Sequence, residues 1–289
     1  MKAKNILGCA AVAVGSAVAA AGLTCALVAP RHGDPVIDQQ WREIARYRYA
    51  HRGLHCEGVP ENSVAAFLRA REFGFGVELD VHLTADGELV VIHDSDIRRM
   101  CGRDGIVEEM TLSELRECRL LHTDEQIPTF DEVLSVFDCD PTGESEMPAP
   151  VIVEIKVHNG NYAELCERVM CCLDDHLVRY CVESFDPHAV AWMRQNRPEV
   201  IRGQLAWNYW PERERPLYER VGGTALLSNV ATRPDFVAYR FSDRDNPAVR
   251  LSCDFLGGHL VVWTVRNEQD LRAAEAAGAV VIFEGFLPE

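Results

Sequence analysis

The stretch that decides the fold reads Val77-Glu78-Leu79-Asp80-Val81-His82-Leu83. Apolar and polar residues alternate along it, which is typical of a β-strand whose successive side chains point to opposite faces. Just before this strand, Ser63 can cap a helix that runs to Phe73, and Gly74 stands where a helix should end. A helix that leads directly into a strand is the repeating unit of a parallel α/β fold.

Strand and helix signals alternate through the rest of the chain. No Gly-x-Gly-x-x-Gly sequence follows the first strand, so the main sign of a dinucleotide-binding sheet is missing. The pattern therefore predicts a single (β/α)₈ barrel of the TIM type over residues 47–289, preceded by an N-terminal apolar helix. The other predicted strands are Tyr49–His51, Leu89–His93, Val151–Lys156, Cys181–Phe185, Ile201–Ala206, Phe236–Phe241, Leu260–Val265 and Val280–Phe283. The other predicted helices begin at Thr111, Tyr162, Pro187 and Glu268.

Residues 1–30 are predicted to lie outside the barrel domain. After Lys2 and Lys4, the run Ile6–Ala29 carries no charged residue. As a helix it would extend roughly 36 Å, enough to cross a bilayer core of about 30 Å. We therefore predict a transmembrane anchor and a membrane-associated protein, with a cleaved signal peptide and secretion as the alternative. Residues 31–46 are predicted as a juxtamembrane linker; basic residues on both sides of the run leave the membrane orientation open.

Charge and cysteine content narrow the function classes. The net charge is −16, which argues against nucleic-acid binding because that requires a basic surface. If the substrate is an anion, the site itself must supply local positive charge. Nine of the eleven cysteines follow Cys25, without Cys-x-x-Cys spacing. We therefore expect free thiols rather than a disulfide framework or a zinc site. The sequence shows no evident protein partner.

Charged residues gather at the predicted strand ends, which converge on one face of a barrel. Glu78 and Asp80 are two residues apart on one strand, so both side chains point the same way, and Glu154 and Lys156 share that spacing. Two carboxylates turned into an apolar barrel are costly without a cation between them. Oxygen ligands suit Mg²⁺ or Ca²⁺ better than zinc. The alternative is that these residues form surface salt bridges on edge strands.

Two of the ten histidines are candidates for proton transfer. His51 and His93 each end a predicted strand and stand next to a charged residue, Arg52 or Asp94. The ordinary pKa of histidine near neutrality suits it to act as acid or base. His55 and His82 remain alternatives, since His82 alternates with Asp80 on the same face of its strand.

The ordered motifs resemble the glycerophosphodiester phosphodiesterase family from about Tyr49 to the C-terminus. The motifs that carry this resemblance are His51-Arg52-Gly53, Pro60-Glu61-Asn62-Ser63, Glu78-Leu79-Asp80-Val81, Thr84-Ala85-Asp86-Gly87, His93-Asp94, Ile127-Pro128-Thr129-Phe130, Glu154-Ile155-Lys156, Ser184-Phe185-Asp186-Pro187 and Trp263-Thr264-Val265. The resemblance implies metal-dependent hydrolysis of glycerophosphodiesters to glycerol 3-phosphate and an alcohol. The chain departs from the family at Phe283–Pro288, where a Thr-Asp pair before Arg-Pro is common, and this leaves the role of Glu284 open.

The same resemblance implies a role for individual residues. His51 and His93 would be the acid–base pair, although which is the acid and which the base stays open. The other implied roles are one divalent cation, Mg²⁺ or Ca²⁺, held by Glu78, Asp80 and Glu154, and substrate contacts by Arg52, Lys156 and Trp263.

Two other functions fit the sequence. One is phospholipase D-like action on lysolipids or sphingolipids, and the other is a non-catalytic membrane-bound barrel that binds phosphate headgroups.

The stretches 94–128 and 207–234 are too long for ordinary connections and predict functional rims. In the second stretch, Trp207, Tyr209 and Trp210 lie near several arginines, which favours a membrane interface, whereas interspersed glutamates favour a solvated rim helix.

Overall fold

The computed structural model describes residues 29–31, 34–139 and 147–289, and its central feature is a closed barrel. The strands are β1 (Tyr49–His51), β2 (Gly76–Leu83), β3 (Leu89–Val91), β4 (Val151–Ile155), β5 (Tyr180–Ser184), β6 (Arg202–Ala206), β7 (Phe236–Arg240), β8 (His259–Val265) and β9 (Val280–Phe283). All except β3 are parallel to their neighbours, and β1 pairs with both β2 and β9, which closes the ring. The predicted eight-stranded parallel barrel is therefore confirmed.

The prediction for residues 89–93 is wrong in one respect. This strand, β3, ends at Val91 and pairs antiparallel with β2, so it stands beside the barrel and not in its wall. The reason is the short turn that precedes it, since a parallel crossover needs a dozen or more residues. Thr84 closes this turn by accepting a hydrogen bond from the Glu88 N–H, and His93 lies two residues beyond the strand.

Helices cover the outside of the barrel. Ser63 and Asp186 cap the helices predicted after them, each accepting a backbone hydrogen bond, and Thr111 and Thr129 form full capping boxes. The helices are α1 (Pro35–Ile44), α2 (Val64–Glu72), α3 (Arg98–Cys101), α4 (Leu112–Leu115), α5 (Phe130–Phe137), α6 (Tyr162–Asp174), α7 (Pro187–Asn196), α8 (Leu217–Thr224), α9 (Asn229–Thr232), α10 (Pro247–Arg250) and α11 (Glu268–Ala276). Short 3₁₀ turns cover Val107–Glu109, Leu120–His122 and Phe241–Asp243, and a π turn covers Leu251–Phe255.

The lower half of the barrel, at the start of the strands, is filled with apolar side chains and closed by α1. Trp41 on α1 stacks on Phe236 and His259, with ring centroids 5.4 Å and 4.4 Å away. The Phe236 ring needs a glycine opposite it, because a Cβ at Gly203 would lie 2.1 Å from that ring. Part of the predicted linker 31–46 is therefore a helix packed against the barrel, and the space left for polar groups is at the other end.

The predicted membrane anchor falls almost entirely on residues 1–28, which lie outside the described residues. Within the part that the structure describes, no helix is both long enough and apolar enough to span a bilayer.

Candidate active site

Three carboxylates meet inside the upper half of the barrel. Glu78 and Asp80 both lie on β2, and Glu154 on β4 is the register partner of Asp80. Each offers an oxygen within 4.8 Å of the others, and all three residues are buried. The alternative of surface salt bridges on edge strands is therefore excluded, because all three carboxylates are buried inside the barrel.

Two cationic side chains contact this carboxylate cluster. The Lys156 ammonium group lies 3.1 Å from Asp80 Oδ1 and 2.9 Å from Glu154 Oε1. The Arg52 Nε atom lies 3.5 Å from Asp80 Oδ2, and its backbone N–H donates to Glu78 Oε2 at 3.2 Å. These contacts supply the local positive charge that an acidic protein needs if it is to bind an anion.

The turn after β1 explains why Arg52 can reach the carboxylates. Arg52 has a left-handed backbone conformation with φ of 56°, and Gly53 follows with φ of 79°. A Cβ at Gly53 would lie 2.9 Å from Ala66 Cβ on α2, so only glycine fits there. The turn folds the chain back at the strand end and points both the backbone and the side chain of Arg52 into the site.

The carboxylate cluster has the electrostatics of a cation site. Burial raises the pKa of Glu78 well above its usual range, and the charges of Asp80 and Glu154 raise it further. Burial also raises the pKa of Glu154 to about 7. Burial acts to raise the pKa of Asp80 as well, but Lys156, His93 and Arg52 together with the hydrogen bond from Asn62 hold that pKa well below its usual range. Closely spaced carboxylates of this kind fit Mg²⁺ or Ca²⁺, which prefer oxygen ligands.

His51 lies at the mouth of the barrel next to the cluster. Its Nε2 atom is 3.9 Å from Glu78 Oε2, and its Nδ1 atom is 3.2 Å from Glu284 Oε2. Burial lowers the pKa of His51, although the hydrogen bond to Glu284 opposes that shift. Glu284, whose role the sequence left open, thus orients His51. His55 is further out, with its Nε2 atom 3.7 Å from Glu284 Oε1.

His93 has a carboxylate partner of the same kind. Its Nδ1 atom lies 2.7 Å from Asp94 Oδ1, and Arg99 donates to the other oxygen of Asp94 at 2.5 Å. Arg99 also donates to Glu61, which in turn accepts from Arg52. Burial lowers the pKa of His93. A chain of ion pairs therefore runs along the rim from His93 to Arg52, the residue that follows His51.

His82 does not enter the site as a reacting group. Its ring is buried, with Nδ1 2.6 Å from Glu108 Oε1 and Nε2 3.2 Å from the His93 carbonyl oxygen. It therefore supports the backbone at His93. Sequence reasoning missed Glu108, because this residue lies in a 3₁₀ turn of the long 94–128 connection and no motif marks it.

One cavity brings the predicted residues together. It has a volume of about 340 Å³ and is lined by His51, Arg52, Glu78, His93, Glu154, Lys156, Glu183, Phe185, Leu205, Trp207, Arg240, Trp263 and Ile282. Asp80 is the one predicted site residue that lies behind this surface and not on it. Sequence reasoning missed Glu183, a buried carboxylate on β5 whose pKa burial raises well above its usual range. It also missed Arg240, whose guanidinium group lies over the rings of Trp207 and Trp263.

A second and wider cavity of about 740 Å³ adjoins the first. The two share His93, Glu154, Lys156, Phe185, Leu205 and Trp207. The wider cavity extends under α8 and is lined there by Tyr209, Tyr218, Gly222 and Leu226. Three aromatic residues of the predicted rim segment, Trp207, Tyr209 and Tyr218, thus line a cavity, whereas Trp210 is exposed and lines neither cavity.

Comparison with known proteins identifies the family. Residues 51–285 match the model of the glycerophosphoryl diester phosphodiesterase family. A glycerophosphodiester phosphodiesterase of Caldanaerobacter subterraneus is 32% identical over 241 residues, which cover 79% of this chain and 89% of that protein.

Solved structures show the same fold. A phosphodiesterase of Oleispira antarctica, solved in complex with the product sn-glycerol-3-phosphate, has a TM-score of 0.65 and 23% identity, covering 82% of this chain and 92% of that one. A glycerophosphodiester phosphodiesterase of Thermotoga maritima has a TM-score of 0.60 and 26% identity, covering 82% and 93%. The chain belongs to the glycerophosphoryl diester phosphodiesterase family and is a phosphoric diester hydrolase.

Proposed function

We propose that this enzyme hydrolyses glycerophosphodiesters to glycerol 3-phosphate and an alcohol, with His51 and His93 as the proton-transfer groups. We include in this proposal one Mg²⁺ or Ca²⁺ ion held by Glu78, Asp80 and Glu154. The observation that carries it is the cavity of about 340 Å³ in which the two histidines flank a buried carboxylate cluster. The Oleispira antarctica relative, solved with sn-glycerol-3-phosphate, supports the choice of product.

The cationic side chains would bind the phosphodiester. Arg52 and Lys156 line the cavity beside the carboxylates, and the positive charge of both would attract the substrate phosphate. A divalent cation, when bound, would add further stabilisation of the charge that develops on the phosphoryl oxygens. Trp263 forms the opposite wall and would limit where the organic part of the substrate can lie.

The histidines would move the protons. In both rings Nδ1 faces a carboxylate, Glu284 or Asp94, which favours the tautomer with its proton on Nδ1. Nε2 is then the atom that accepts or donates a proton. One histidine would take a proton from the attacking hydroxyl, and the other would give one to the leaving alkoxide. Each such transfer contributes roughly 10²- to 10⁴-fold to the rate.

Removal of divalent cations tests this proposal. Chelation should lower the release of glycerol 3-phosphate from glycerophosphocholine at least about a hundredfold, and Mg²⁺ or Ca²⁺ should restore it. Glu78→Gln, Asp80→Asn and Glu154→Gln should weaken cation binding, measured calorimetrically, together with turnover. Asp104→Asn is the matched control, because this carboxylate is exposed and pairs only with Arg98 among the described residues. Activity that survives exhaustive chelation would show that the carboxylates do not hold a required cation.

A second candidate substrate is a lysophospholipid cleaved to a lysophosphatidic acid or a cyclic phosphate lipid. The wider cavity favours it, because this cavity opens beside His93 and Lys156. Its part under α8 is lined by Tyr209, Tyr218 and Leu226, which suit a single acyl chain, next to Arg215 and Glu219. Gly222 offers a direct test, since a Cβ there would meet no atom within 4 Å. Gly222→Phe should fill the cavity and lower lysolipid turnover selectively, with Gly222→Ala as the control. Equal effects on lysolipid and glycerophosphocholine would exclude this role for the cavity.

We also propose that residues 1–30 anchor the enzyme to a membrane and that residues 47–289 form the catalytic domain. The uncharged run Ile6–Ala29 supports the anchor. Fractionation of cells that express the full chain, or a form that begins at residue 31, tests it. Full-length protein in the soluble fraction would contradict the anchor, and an inactive shortened form would show that catalysis needs residues 1–30.

A further inference from the structure

A second group of metal-ligating side chains lies on the outer layer of helices, away from the barrel mouth. Asp131 is in the first turn of α5, Cys172 is in the last turn of α6, and His176 follows the end of α6. One ligand atom from each of the three, a carboxylate oxygen, the thiol sulfur and an imidazole nitrogen, lies within 4.8 Å of the other two. The glycerophosphodiester site uses none of these residues.

The spacing of these atoms suits a small tetrahedral ion. His176 Nε2 lies 3.1 Å from Asp131 Oδ1. Around a tetrahedral zinc ion with bonds of about 2.0–2.3 Å, ligand atoms lie roughly 3.3–3.8 Å apart. The nitrogen and oxygen atoms would therefore need to move apart by only a few tenths of an ångström, and the Cys172 sulfur lies within 4.8 Å of both.

His176 is already held in the orientation that a metal ligand needs. Its other ring nitrogen, Nδ1, lies 2.9 Å from Asp138 Oδ2, and Asp138 Oδ1 accepts the Leu177 N–H at 2.7 Å. A carboxylate on the second nitrogen is the usual support of a metal-binding histidine, because it fixes the tautomer and the ring plane. The His176 side chain is only 8% exposed, whereas Asp131 is 74% exposed, so a bound ion would be reachable from solvent.

We propose that Asp131, Cys172 and His176 form a zinc-type site that joins α5 to the end of α6. A sulfur, a nitrogen and an oxygen ligand suit Zn²⁺ and its analogues Co²⁺ and Cd²⁺, and they disfavour Mg²⁺ and Ca²⁺. Three protein ligands leave a fourth position, which a water molecule can fill. The cysteine pattern along the sequence predicted no zinc site, because Asp131 comes from a different helix and spacing cannot show it.

Cobalt spectroscopy of the full-length protein tests the site independently of catalysis. Co²⁺ added to chelated protein should produce a near-ultraviolet charge-transfer band, which requires a thiolate ligand. The catalytic carboxylates cannot produce it, so Glu78→Gln should keep the band. Cys172→Ser should abolish it, and His176→Gln should weaken Co²⁺ binding at least about tenfold. Cys171→Ser is the matched control, because this neighbouring thiol is exposed and outside the group.

The outcomes separate the proposal from its alternatives. The proposal is overturned if the wild-type protein shows no band or if the band persists in Cys172→Ser. Loss of the band in Cys171→Ser would also overturn it, because the thiolate ligand would then be Cys171. If a variant fails to fold, alkylation of the wild-type protein gives the answer without substitution. Zn²⁺ should slow modification of Cys172 at least about tenfold relative to Cys171, and equal rates would overturn the proposal. Neither result depends on phosphodiester hydrolysis, so the failure of one proposal leaves the other standing.

Discussion

The two proposed catalytic histidines are built from different parts of the molecule. His51 and its partner Glu284 come from the ends of adjacent barrel strands, β1 and β9, and the His51 side chain is 13% exposed. His93 and Asp94 lie beyond β3, outside the barrel wall, and the His93 side chain is 32% exposed. One half of the site is thus part of the barrel wall. The other half belongs to residues 84–129, which connect β2 to α5 outside the barrel wall and are held by ion pairs; we call these residues the insertion. This difference predicts that the two halves respond differently to perturbation.

The largest effect should come from removing either ring. His51→Ala and His93→Ala should each lower kcat/KM for glycerophosphocholine at least about a hundredfold, because each would eliminate one proton transfer. Circular dichroism and thermal unfolding of the same proteins establish that the fold is intact. His122→Ala is the control, since this histidine is exposed and lines neither cavity. A folded variant with near-normal turnover would remove that histidine from the mechanism.

The partner carboxylates should differ from each other. Glu284→Gln should lower kcat/KM about tenfold, because among the described residues Glu284 makes the only hydrogen bond to the His51 ring. Asp94→Asn should lower kcat/KM only a few-fold, since His82 also holds the backbone of His93 in place. Steady-state kinetics with Asp254→Asn, an exposed carboxylate, as control measures both. An equal loss in the two variants would contradict the division into a barrel half and an insertion half.

The smallest effect concerns stability at low pH. The hydrogen bond to His51 lowers the pKa of Glu284 to about 2, against an ordinary value of 4.5. Because the folded-state value is the lower one, this carboxylate stabilises the fold above pH about 4.5, and its contribution is lost as the pH falls towards 2. The free energy of unfolding should fall between pH 7 and pH 3.5, and this fall should be about 1 kcal/mol smaller in Glu284→Gln than in the wild type. The expected difference is modest because solvent screens the partly exposed carboxylate. Urea denaturation at the two pH values measures it, and an unchanged loss would contradict the pairing.

The barrel half was also the half that the sequence could predict. Strand periodicity places Glu78 and Asp80 on one face, and the position of a residue at a strand end is enough to bring His51 and Glu154 to the same mouth. These inferences need only local geometry, because each residue sits on a regular element. The structure brings all of them to one cavity, or directly behind it in the case of Asp80.

The insertion half could not be predicted in the same way. Glu108 reaches His82 from an irregular turn, and Arg99 joins Asp94 to Glu61 across two connections, so no periodic pattern marks either contact. Apolar composition predicts that β3 is a strand but not in which direction it runs. Its direction follows from the turn between β2 and β3, which is too short for a parallel connection. The pairing of Glu284 with His51 depends on closure of the ring, which joins the first strand to the last.

If His51 and His93 carry out opposite proton transfers, a change of leaving group should affect the two alanine variants differently. Hydrolysis of glycerophosphocholine is compared with that of a glycerophosphodiester of p-nitrophenol, whose phenolate can depart without a proton. We expect the kcat/KM of one alanine variant, relative to wild type, to be at least about tenfold higher on the nitrophenyl substrate than on glycerophosphocholine, while the other variant stays impaired on both. Equal impairment of both variants on both substrates would contradict it.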